Sequence, residues 1–491
     1  MITTAADSTL KRASSSRRIE RIPRDGASFL TFFNELLLRN VWFKANEGQT
    51  IPAHFRVTGE VNNSALEQAM TEAARRHEVL RSRFAVTGEG PRQTVEEMIS
   101  APLVEVDLRG LPDDARAVCL GAILTEEHRR LFDLAADLLW RVVSIRPAEN
   151  DQIVILTVDH MIADERSMSV LIGDLWLLYF AFAMGEPSPL REPAVQLLDF
   201  AAWQRGFLQG KSLERLTSYW ERDLEGKGAL PEFHIPGENP LPCDCSYRPF
   251  AAVNRELAPR FRGLLDRIAQ SNGATLQMVI FSAIAILLRG YSGDDDVCFR
   301  FVSSKRHRLE TMDLIGWLSD LLVLRVKVFG EDSFPQLLAR VRSKTLAAYD
   351  HQDLPYMLFP GYDGKLARGI FKHPSLTVNL ALDAVSSSSE AADAAMRKLG
   401  LAIAPVKPPP RAQIREPGMS LAVGPRGGGL NLVIKYEVER YSEPAADRFL
   451  ADFVAVLRAI AERPAGRISD LRLNPADLSV TWPTGAALQS S

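Results

Sequence analysis

The chain contains 491 residues, of which 46% are hydrophobic and 24% are charged, as in an ordinary soluble globular protein. A chain of this length predicts two large lobes or two to four domains, with a core that needs no disulfide staples. The formal net charge is -3 at pH 7, and the lack of a basic excess argues against nucleic acid or an anionic membrane as a partner.

The first 22 residues combine lysine and arginine with serine and alanine. A secretory signal would need an apolar stretch after these charges, and none is present, so residues 1–22 are expected to be a disordered basic tail. The chain beyond them alternates strand and helix patterns up to Pro187 and Pro189, which open a linker. The predicted elements of this part are a helix at Ala65–Arg76, strands at Leu139–Ile145 and Ile153–Val158, and a helix at Ser167–Phe182.

The same mixture of strands and helices continues beyond the linker. Residues 231–247 lack periodicity and predict a loop, Ser386–Ser389 begins a mobile insertion, and Pro408–Pro410 is a rigid spacer. Mixed elements in two halves of similar size predict α/β or α+β lobes. The predicted elements of this part are helices at Leu197–Leu224, Pro259–Gln270, Thr275–Arg289 and Glu443–Arg463, strands at Val297–Val302, Leu321–Val328 and Leu430–Tyr436, and a hairpin loop at Gly424–Gly429.

The cysteines and the apolar stretches bear on the compartment. Four scattered cysteines are too few for a disulfide framework, which favours a reducing cytoplasm. Cys243 and Cys245 form a single C-x-C with no second pair of ligands nearby, so no metal site is expected. No run reaches the roughly 18 apolar residues of a membrane span. The most apolar stretch, Met278–Leu288, therefore predicts a buried core helix.

One segment, Val158–Glu165, combines a histidine with carboxylates where an apolar strand ends and a helix begins. A neutral imidazole projecting from such a rigid element can take a proton at physiological pH, so His160 is a candidate general base. A buried, hydrogen-bonded histidine is the alternative for so short a pattern. No G-x-S-x-G elbow or H-E-x-x-H motif occurs in the chain. Neither cysteine nor serine lies between Val158 and Glu165 to act as a nucleophile.

Further segments follow this one in a characteristic order. Together with Asp159–Glu165, which corresponds to a core motif H-H-x-x-x-D-G, they resemble the condensation domains of nonribosomal peptide synthetases along nearly the whole chain. The ordered combination is specific, although each segment alone is a weak signal. The matching segments are Arg76–Phe84, Leu198–Trp203, Tyr219–Trp220, Ser246–Arg248, Gly273–Asp295, Ile315–Arg325 and His351–Tyr356.

The resemblance implies a fold of two chloramphenicol-acetyltransferase-like lobes in a V-shaped pseudo-dimer, with His160 midway along a central tunnel. Residues 23–188 would form the N-terminal lobe and residues 189–475 the C-terminal lobe, followed by a polar tail at 476–491. A two-lobed monomer is expected. No adenylation or carrier module is recognisable in the chain, so we expect a stand-alone protein that meets its carriers in trans.

The resemblance also implies roles for the motif residues. His160 would deprotonate or orient the acceptor, and Asp164 would be structural, paired with an arginine. Arg306 is the first candidate for that arginine and Arg248 the second. An isolated carboxylate at depth would be costly, which is consistent with such a pairing.

Two residues depart from the family motif. Asp159 replaces the first histidine, and this carboxylate would either raise the imidazole pKa and help to bind a cationic acceptor, or only support the loop. Glu165 replaces the glycine and constrains the backbone. Asp320 stands where the family has asparagine. With Ser319, these three carboxylates are the tunnel-lining candidates, and they would suit a basic or amine-rich acceptor.

Three functions remain open from the sequence. The first is an enzyme that transfers an acyl group from a carrier-protein phosphopantetheine thioester to a free or carrier-bound amine or hydroxyl. Acyl or peptidyl carrier proteins would be its partners, and the phosphopantetheine arm would come with the carrier, so no intrinsic cofactor is expected. The second is a catalytically degenerate module that recruits a carrier protein or a tailoring enzyme. The third is an acyltransferase that uses coenzyme A.

Overall fold

A computed structural model describes most of the chain. Several sequence predictions concern residues outside it, namely most of the 231–247 loop, Cys243, Cys245, Arg248, Ser386–Ser389 and Pro408–Pro410. The described residues are 18–24, 28–39, 50–97, 103–227, 234–235, 238–239, 250–359, 375–382, 390–406, 418–470, 472–474 and 479–481.

Helices and strands alternate along the described residues, which confirms the predicted mixed α/β class. The helices are α1 (Phe32–Arg39), α2 (Asn63–Arg76), α3 (Asp113–Arg129), α4 (Glu165–Ala183), α5 (Leu197–Phe207), α6 (Gly210–Asp223), α7 (Pro259–Ser271), α8 (Leu276–Ser292), α9 (Phe334–Asp350), α10 (Glu390–Leu399) and α11 (Glu443–Glu462). The strands are β1 (Thr50–Thr58), β2 (Ser82–Thr87), β3 (Gly90–Val95), β4 (Leu103–Asp107), β5 (Trp140–Ala148), β6 (Asp151–Asp159), β7 (Phe250–Leu257), β8 (Asp296–Ser303), β9 (Asp320–Lys327), β10 (Ser375–Leu380), β11 (Ala402–Val406), β12 (Gly418–Arg426), β13 (Gly429–Glu437), β14 (Arg472–Asn474) and β15 (Ser479–Thr481).

The chain divides into two compact units, and each contains its own sheet. The first unit comprises Met1–Leu213, Ser304–Ser319 and Val385–Arg411, and the second comprises the remainder. This differs from the predicted boundary between residues 188 and 189, because two later segments fold back onto the first unit. One of them supplies β11, which pairs antiparallel with β1, and the other is tied by hydrogen bonds to the start of α4.

The sheet of the first unit has the strand order β11-β1-β6-β5-β4. Successive side chains of β6 point to opposite faces of this sheet. Val154, Leu156 and Val158 enter the main core, which lies under α2 and α4. Ile153 and Ile155 enter a smaller cluster that α3 covers. Apolar layers on both faces explain why β6 is a nearly continuous apolar run, and they place its last residues on a rigid strand.

The sheet of the second unit has the order β7-β13-β12-β10-β8-β9. Helices α7, α9 and α11 pack around α8, in which every residue from Met278 to Leu288 is buried. The predicted core helix is therefore confirmed. The β12–β13 hairpin turns at Gly427 and Gly428, whose positive φ angles of 54° and 79° suit glycine in a two-residue turn.

Three predicted boundaries need correction. The single helix expected at Leu197–Leu224 is two helices, because the chain breaks before Gly210, where φ is +49°. The expected basic tail is ordered at its end, since Ile19 is 3% exposed. The expected C-terminal tail includes β15, which pairs with β14.

Arg24 connects two of the motif segments of the first unit. Its guanidinium donates to both carboxylate oxygens of Asp199, at 2.7 and 3.0 Å, and to Glu78 at 3.0 Å. Asp199 also accepts from the Ile22 amide at 2.9 Å. The N-terminal residues thus close a partly buried ionic network, in which the acidic residues of these two segments have a structural role.

Among the described residues, α4 alone has the length and mean hydropathy of a membrane span by itself, and α7 with α8 meets the same test only as a pair bent by 97°. Core helices of soluble proteins also meet this test. The buried residues of α4, which include Leu171 and Leu178, belong to the main core of the first unit. Packing within that unit therefore accounts for the apolar character of the helix.

Candidate active site

His160 occupies the turn between the end of β6 and the start of α4. The strand ends at Asp159, and the Ile162 amide closes the turn on the Asp159 carbonyl at 3.1 Å. His160 is half-buried, whereas Met161 and Ile162 are fully buried in the core. The imidazole is thus carried by a short turn that is anchored on both sides.

Asp159 is fully buried, with 0% exposure. Its Oδ1 accepts a hydrogen bond of 2.8 Å from the Met161 amide, two residues ahead. This is the local contact by which aspartate stabilises tight turns. Of the two roles that the sequence left open for Asp159, this environment favours support of the loop.

Asp164 is the N-cap residue of α4. Its Oδ1 accepts from the Ser167 amide at 2.9 Å and from the Ser167 hydroxyl at 2.8 Å. Such caps satisfy amides that the first helical turn leaves without partners, and they are typically worth about 1 kcal/mol. The spacing of four residues between His160 and Asp164 thus fits one turn between a strand end and a helix cap.

Arg306 forms a bidentate ion pair with Asp164. Its Nη1 donates to Oδ2 at 2.7 Å and its Nη2 donates to Oδ1 at 2.8 Å. Both side chains are only 2% exposed. Burial alone would raise the pKa of Asp164, but the charge of Arg306 and the hydrogen bonds from Arg306 and Ser167 outweigh it, so that the pKa is lowered. Asp164 is therefore a fixed carboxylate.

The ion pair also holds the backbone of residues 314–319, here called the anchored segment. Oδ2 of Asp164 accepts from the Leu318 amide at 3.1 Å and from the Ser319 amide at 2.9 Å. Nη2 of Arg306 donates to the Leu314 carbonyl at 3.1 Å. The Asp164 carboxylate thus accepts hydrogen bonds from the first turn of α4, from the Arg306 guanidinium and from two backbone amides of the anchored segment.

Gly316, in the middle of the anchored segment, contacts Ser167 through both of its backbone groups. Its amide donates to the Ser167 hydroxyl at 3.0 Å, and its carbonyl lies 2.8 Å from that hydroxyl. A Cβ on residue 316 would lie 2.5 Å from Leu197 Cδ1, so the close approach requires glycine or a local shift. The Ser167 hydroxyl is fully engaged in this network and is not placed to act as a nucleophile.

Trp317, also in the anchored segment, stacks on His160. The ring centroids are 3.6 Å apart and the planes differ by 29°. The Phe33 ring of α1 contacts the indole at a centroid distance of 4.2 Å. Trp317 lies within the matching segment Ile315–Arg325, but the sequence alone predicted no role for it. The available signal was an aromatic residue inside a motif that the family resemblance places near the histidine.

Asn34 is a second residue without an assigned role in the sequence reasoning. It is 1% exposed, and its side-chain amide donates to the Met161 carbonyl at 2.9 Å. The Thr31 hydroxyl donates to Asn34 Oδ1 at 2.7 Å and accepts a hydrogen bond of 3.0 Å from the backbone amide of Asn34. Helix α1 therefore fixes the turn that carries His160.

The remaining predicted residues differ in exposure and surroundings. Glu165 is exposed at the first position of α4. Ser319 is half-buried, with its amide on Asp164. Asp320 begins β9 in the second unit, where its Oδ2 accepts from the Tyr356 amide at 3.0 Å. Of the three carboxylates proposed to line a tunnel, Asp159 is wholly buried, and Asp320 connects the start of β9 to the short 3-10 helix Tyr356–Leu358.

Nothing in the described part of the chain forms a cluster of three or more histidine, cysteine, aspartate or glutamate side chains suited to a metal ion. The side chain in this turn that is of a type suited to general acid–base chemistry is the imidazole of His160. The arrangement places one imidazole on an anchored turn beside a buried ion pair, and such a group can transfer a proton to or from a substrate within its reach.

Comparison with known proteins identifies a shared family. The family model described as "Condensation domain" matches residues 39–477. The chain is 30% identical over 475 residues to a linear gramicidin synthase protein of Brevibacillus parabrevis, covering 95% of this chain and 6% of that protein. It is 34% identical over 363 residues to phosphinothricin tripeptide synthetase PhsC of Streptomyces viridochromogenes, covering 71% of this chain and 32% of that one. The chain thus spans only a small part of these relatives.

Solved structures share the fold. The X-domain from teicoplanin biosynthesis gives a TM-score of 0.75 at 22% identity, covering 93% of this chain and 99% of that one. The same domain in complex with OxyB gives 0.74 at 22% identity, covering 94% and 99%. SgcC5 from Streptomyces globisporus gives 0.70 at 22% identity, covering 89% and 99%. These similarities confirm the mixed α/β condensation-domain fold that the sequence resemblance implied.

Proposed function

Because the chain belongs to the condensation-domain family, we propose that it transfers an acyl group from a carrier-protein phosphopantetheine thioester to an amine or hydroxyl acceptor, forming an amide or an ester. The observation that carries this proposal is the placement of His160. A half-buried imidazole stands at a rigid strand end, four residues before a helix cap whose carboxylate is neutralised by Arg306.

The reaction needs a base and positioning rather than a covalent nucleophile. A nucleophilic amine or hydroxyl attacks the thioester carbonyl, the acceptor loses a proton, and the thiol of the phosphopantetheine arm departs. His160 would take or orient that proton. Asp164 would not act as an acid or base, because its lowered pKa and six hydrogen-bond donors hold it as a carboxylate.

The proposed partners are acyl or peptidyl carrier proteins. They are supported by the relatives, which are named as synthase and synthetase proteins. The carrier would bring the phosphopantetheine arm, so the chain would need no cofactor of its own. Cys119 and Cys298 are free thiols, which supports a reducing cytoplasm as the compartment that we propose.

Glu165 supports an amine-bearing acceptor. It is exposed at the start of α4, five residues after His160, whereas Asp159 is buried beneath the loop. We therefore assign acceptor selection to Glu165 and loop support to Asp159. Glu165→Gly should weaken the preference for cationic over neutral acceptors, and an unchanged acceptor profile would contradict this assignment.

The test is intact-protein mass spectrometry with an acyl-loaded carrier protein and a panel of amines and alcohols. A 1,2-diol belongs in the panel, because SgcC5 was solved with a naphthyl-ethanediol. His160→Ala is compared with the wild type and with His234→Ala, a histidine whose side chain is 57% exposed in the second unit. Transfer by the wild type and His234→Ala but not by His160→Ala supports the proposal. Equal transfer by all three proteins refutes the role of His160.

A parallel reaction with acyl-coenzyme A in place of the loaded carrier separates the two donor classes. Transfer from the carrier alone supports the carrier-dependent enzyme. Transfer from acyl-coenzyme A at an equal or higher rate would replace it with a coenzyme A-dependent acyltransferase.

The second candidate function is recruitment of a partner protein without catalysis. Two observations favour it, namely the departures at Asp159 and Glu165 and the similarity to an X-domain that forms a complex with OxyB. Stable binding of a carrier or tailoring enzyme, with no acyl transfer by the wild type to any acceptor, would establish this function instead.

A further inference from the structure

The anchored segment presents Trp317 to His160 with both of its flanks fixed. On one side, the Gly316 amide and carbonyl contact the Ser167 hydroxyl at 3.0 and 2.8 Å. On the other side, the Leu318 and Ser319 amides donate to Asp164 at 3.1 and 2.9 Å. Trp317 therefore lies between two points of attachment to the same buried network.

The indole has a second aromatic neighbour. Phe33 contacts it at a centroid distance of 4.2 Å, with the planes inclined by 55°. Phe33 lies on α1 next to Asn34, which is 1% exposed and holds the Met161 carbonyl in the turn that carries His160. Both the turn and the indole are thus tied to the same short helix.

The stack has a direct consequence for the imidazole. At a centroid distance of 3.6 Å and an angle of 29°, the indole covers one face of the ring and fixes its plane. The lone pair of an imidazole nitrogen lies in the ring plane, so fixing the plane fixes the direction in which His160 can accept a proton. The indole covers a face and does not stand at the edge where the nitrogens lie.

We propose that Trp317 is a positioning residue that orients the His160 imidazole, and that Asp164 and Arg306 act on His160 by holding the backbone on either side of Trp317. The proposal rests on the proposed function, since an imidazole needs orientation only if it serves as the base. It also gives the buried ion pair a defined task, because the carboxylate of Asp164 reaches the segment that carries the indole.

A purely structural role for Trp317 makes different predictions. Trp317 is half-buried and packs against the main core, so its loss would also lower stability. Trp176 offers a matched control, because it too is half-buried in the first unit and contacts the Phe55 ring at 5.6 Å. If both tryptophans only fill space, Trp317→Leu and Trp176→Leu should affect catalysis alike.

The first measurement is an NMR spectrum of the 491-residue chain labelled with carbon-13 at the histidine Cε1 position. An aromatic ring stacked on an imidazole shifts the Hε1 resonance upfield through its ring current. His160→Gln assigns the resonance of His160 among the eight histidines. We expect this resonance to move downfield in Trp317→Leu, to keep most of its shift in Trp317→Phe, and to be unchanged in Trp176→Leu.

The second measurement is the turnover of the same variants with a loaded carrier and the best acceptor of the panel. We expect Trp317→Leu to lose roughly 10- to 100-fold in kcat with little change in KM, the cost of a small misplacement of a catalytic group. Trp317→Phe should recover most of the loss, and Trp176→Leu should retain kcat.

Three outcomes would overturn the proposal. A His160 resonance that Trp317→Leu leaves in place would show that the stack does not form in solution. A lost stack with kcat equal to that of Trp176→Leu would show that it does not serve catalysis. If His160→Ala keeps full turnover, the proposed role of His160 as base is refuted. If His160→Ala loses turnover but Trp317→Leu does not, only the positioning role of Trp317 is refuted.

Discussion

The buried ion pair between Asp164 and Arg306 permits a quantitative prediction. In Asp164→Asn the side chain keeps its size but loses its charge, and one oxygen becomes an NH2 group. In either orientation the new NH2 group would point at hydrogen-bond donors. Oδ1 accepts from Ser167 and Arg306, and Oδ2 accepts from Arg306 and two backbone amides. The guanidinium, whose side chain is 2% exposed, is left without its counter-charge.

Removing one partner of a buried pair typically costs about 3–5 kcal/mol, because the remaining charge stays buried without compensation. For a folding unit of this size, each kcal/mol lowers the melting temperature by about 2–4 °C, so the first unit should melt roughly 6–20 °C lower in Asp164→Asn. A control is Asp151→Asn, which removes an Arg56–Asp151 pair that is also bidentate, at 2.8 and 2.7 Å. Arg56 is 59% exposed, so this loss should be only about 0–1 kcal/mol.

Differential scanning calorimetry at pH 7 measures both variants, and the transition of the first unit is the one to compare. A decrease in Asp164→Asn several times that in Asp151→Asn supports the analysis of the pair. If the two variants melt at the same temperature, the network around Asp164 contributes no more to stability than a surface ion pair. Its assignment as the anchor of the 314–319 segment then fails.

Three further outcomes are expected. Because the pKa of Asp164 is lowered on folding, its contribution is present above the unfolded pKa of about 3.9 and is lost as the pH falls through the folded value. The melting difference between wild type and Asp164→Asn should therefore shrink in calorimetry below about pH 4. Gly429→Ala places a Cβ 2.0 Å from the Leu257 carbonyl oxygen and should cost about 1–3 kcal/mol or more, whereas Gly88→Ala meets no atom within 4 Å and should change the melting temperature little. Burial raises the pKa of Cys298 to about 12, so mass spectrometry should find this thiol unmodified by iodoacetamide at pH 8 until the protein unfolds.

Local periodicity was sufficient to predict most of the elements. The apolar run at Ile153–Val158 and the helical spacing at Ser167–Phe182 both depend on residues close in sequence, and the structure forms β6 and α4 there. The break between α5 and α6 was missed, because apolar spacing continues across Gly210 while its backbone adopts φ +49°. Periodicity indicates which face of an element is buried, but it does not reveal that one residue, here Gly210, has a positive φ angle.

Long-range connections were harder to predict. The return of Ser304–Ser319 to the first unit depends on the contacts of one buried carboxylate and one hydroxyl, more than 130 residues away in sequence. No local pattern signals such a connection. A linear boundary between residues 188 and 189 was therefore the natural expectation, although the contacts divide the chain differently.

The candidate site shows the same contrast. His160 and Asp164 are separated by one turn, and their placement follows from a strand that ends and a helix that begins. Trp317 and Asn34 reach the same turn from distant segments, through a ring stack and a side-chain hydrogen bond. Such residues can be identified only when the fold brings the segments together, because an aromatic or an asparagine carries no signal of its own.

The two departures from the family motif have different physical consequences. Asp159, which replaces the first histidine of the motif, is fully buried, and its carboxylate accepts a hydrogen bond that holds the turn. The fold therefore accommodates this departure locally. Glu165 is exposed in the first turn of α4, where the helix dipole favours a negative charge, so a carboxylate there has little folding cost. Because Glu165 is exposed, has little folding cost and lies close to the proposed base His160 in sequence, its identity can vary with the substrate without loss of stability. Differences in acceptor choice among relatives should therefore be sought at position 165 before position 159.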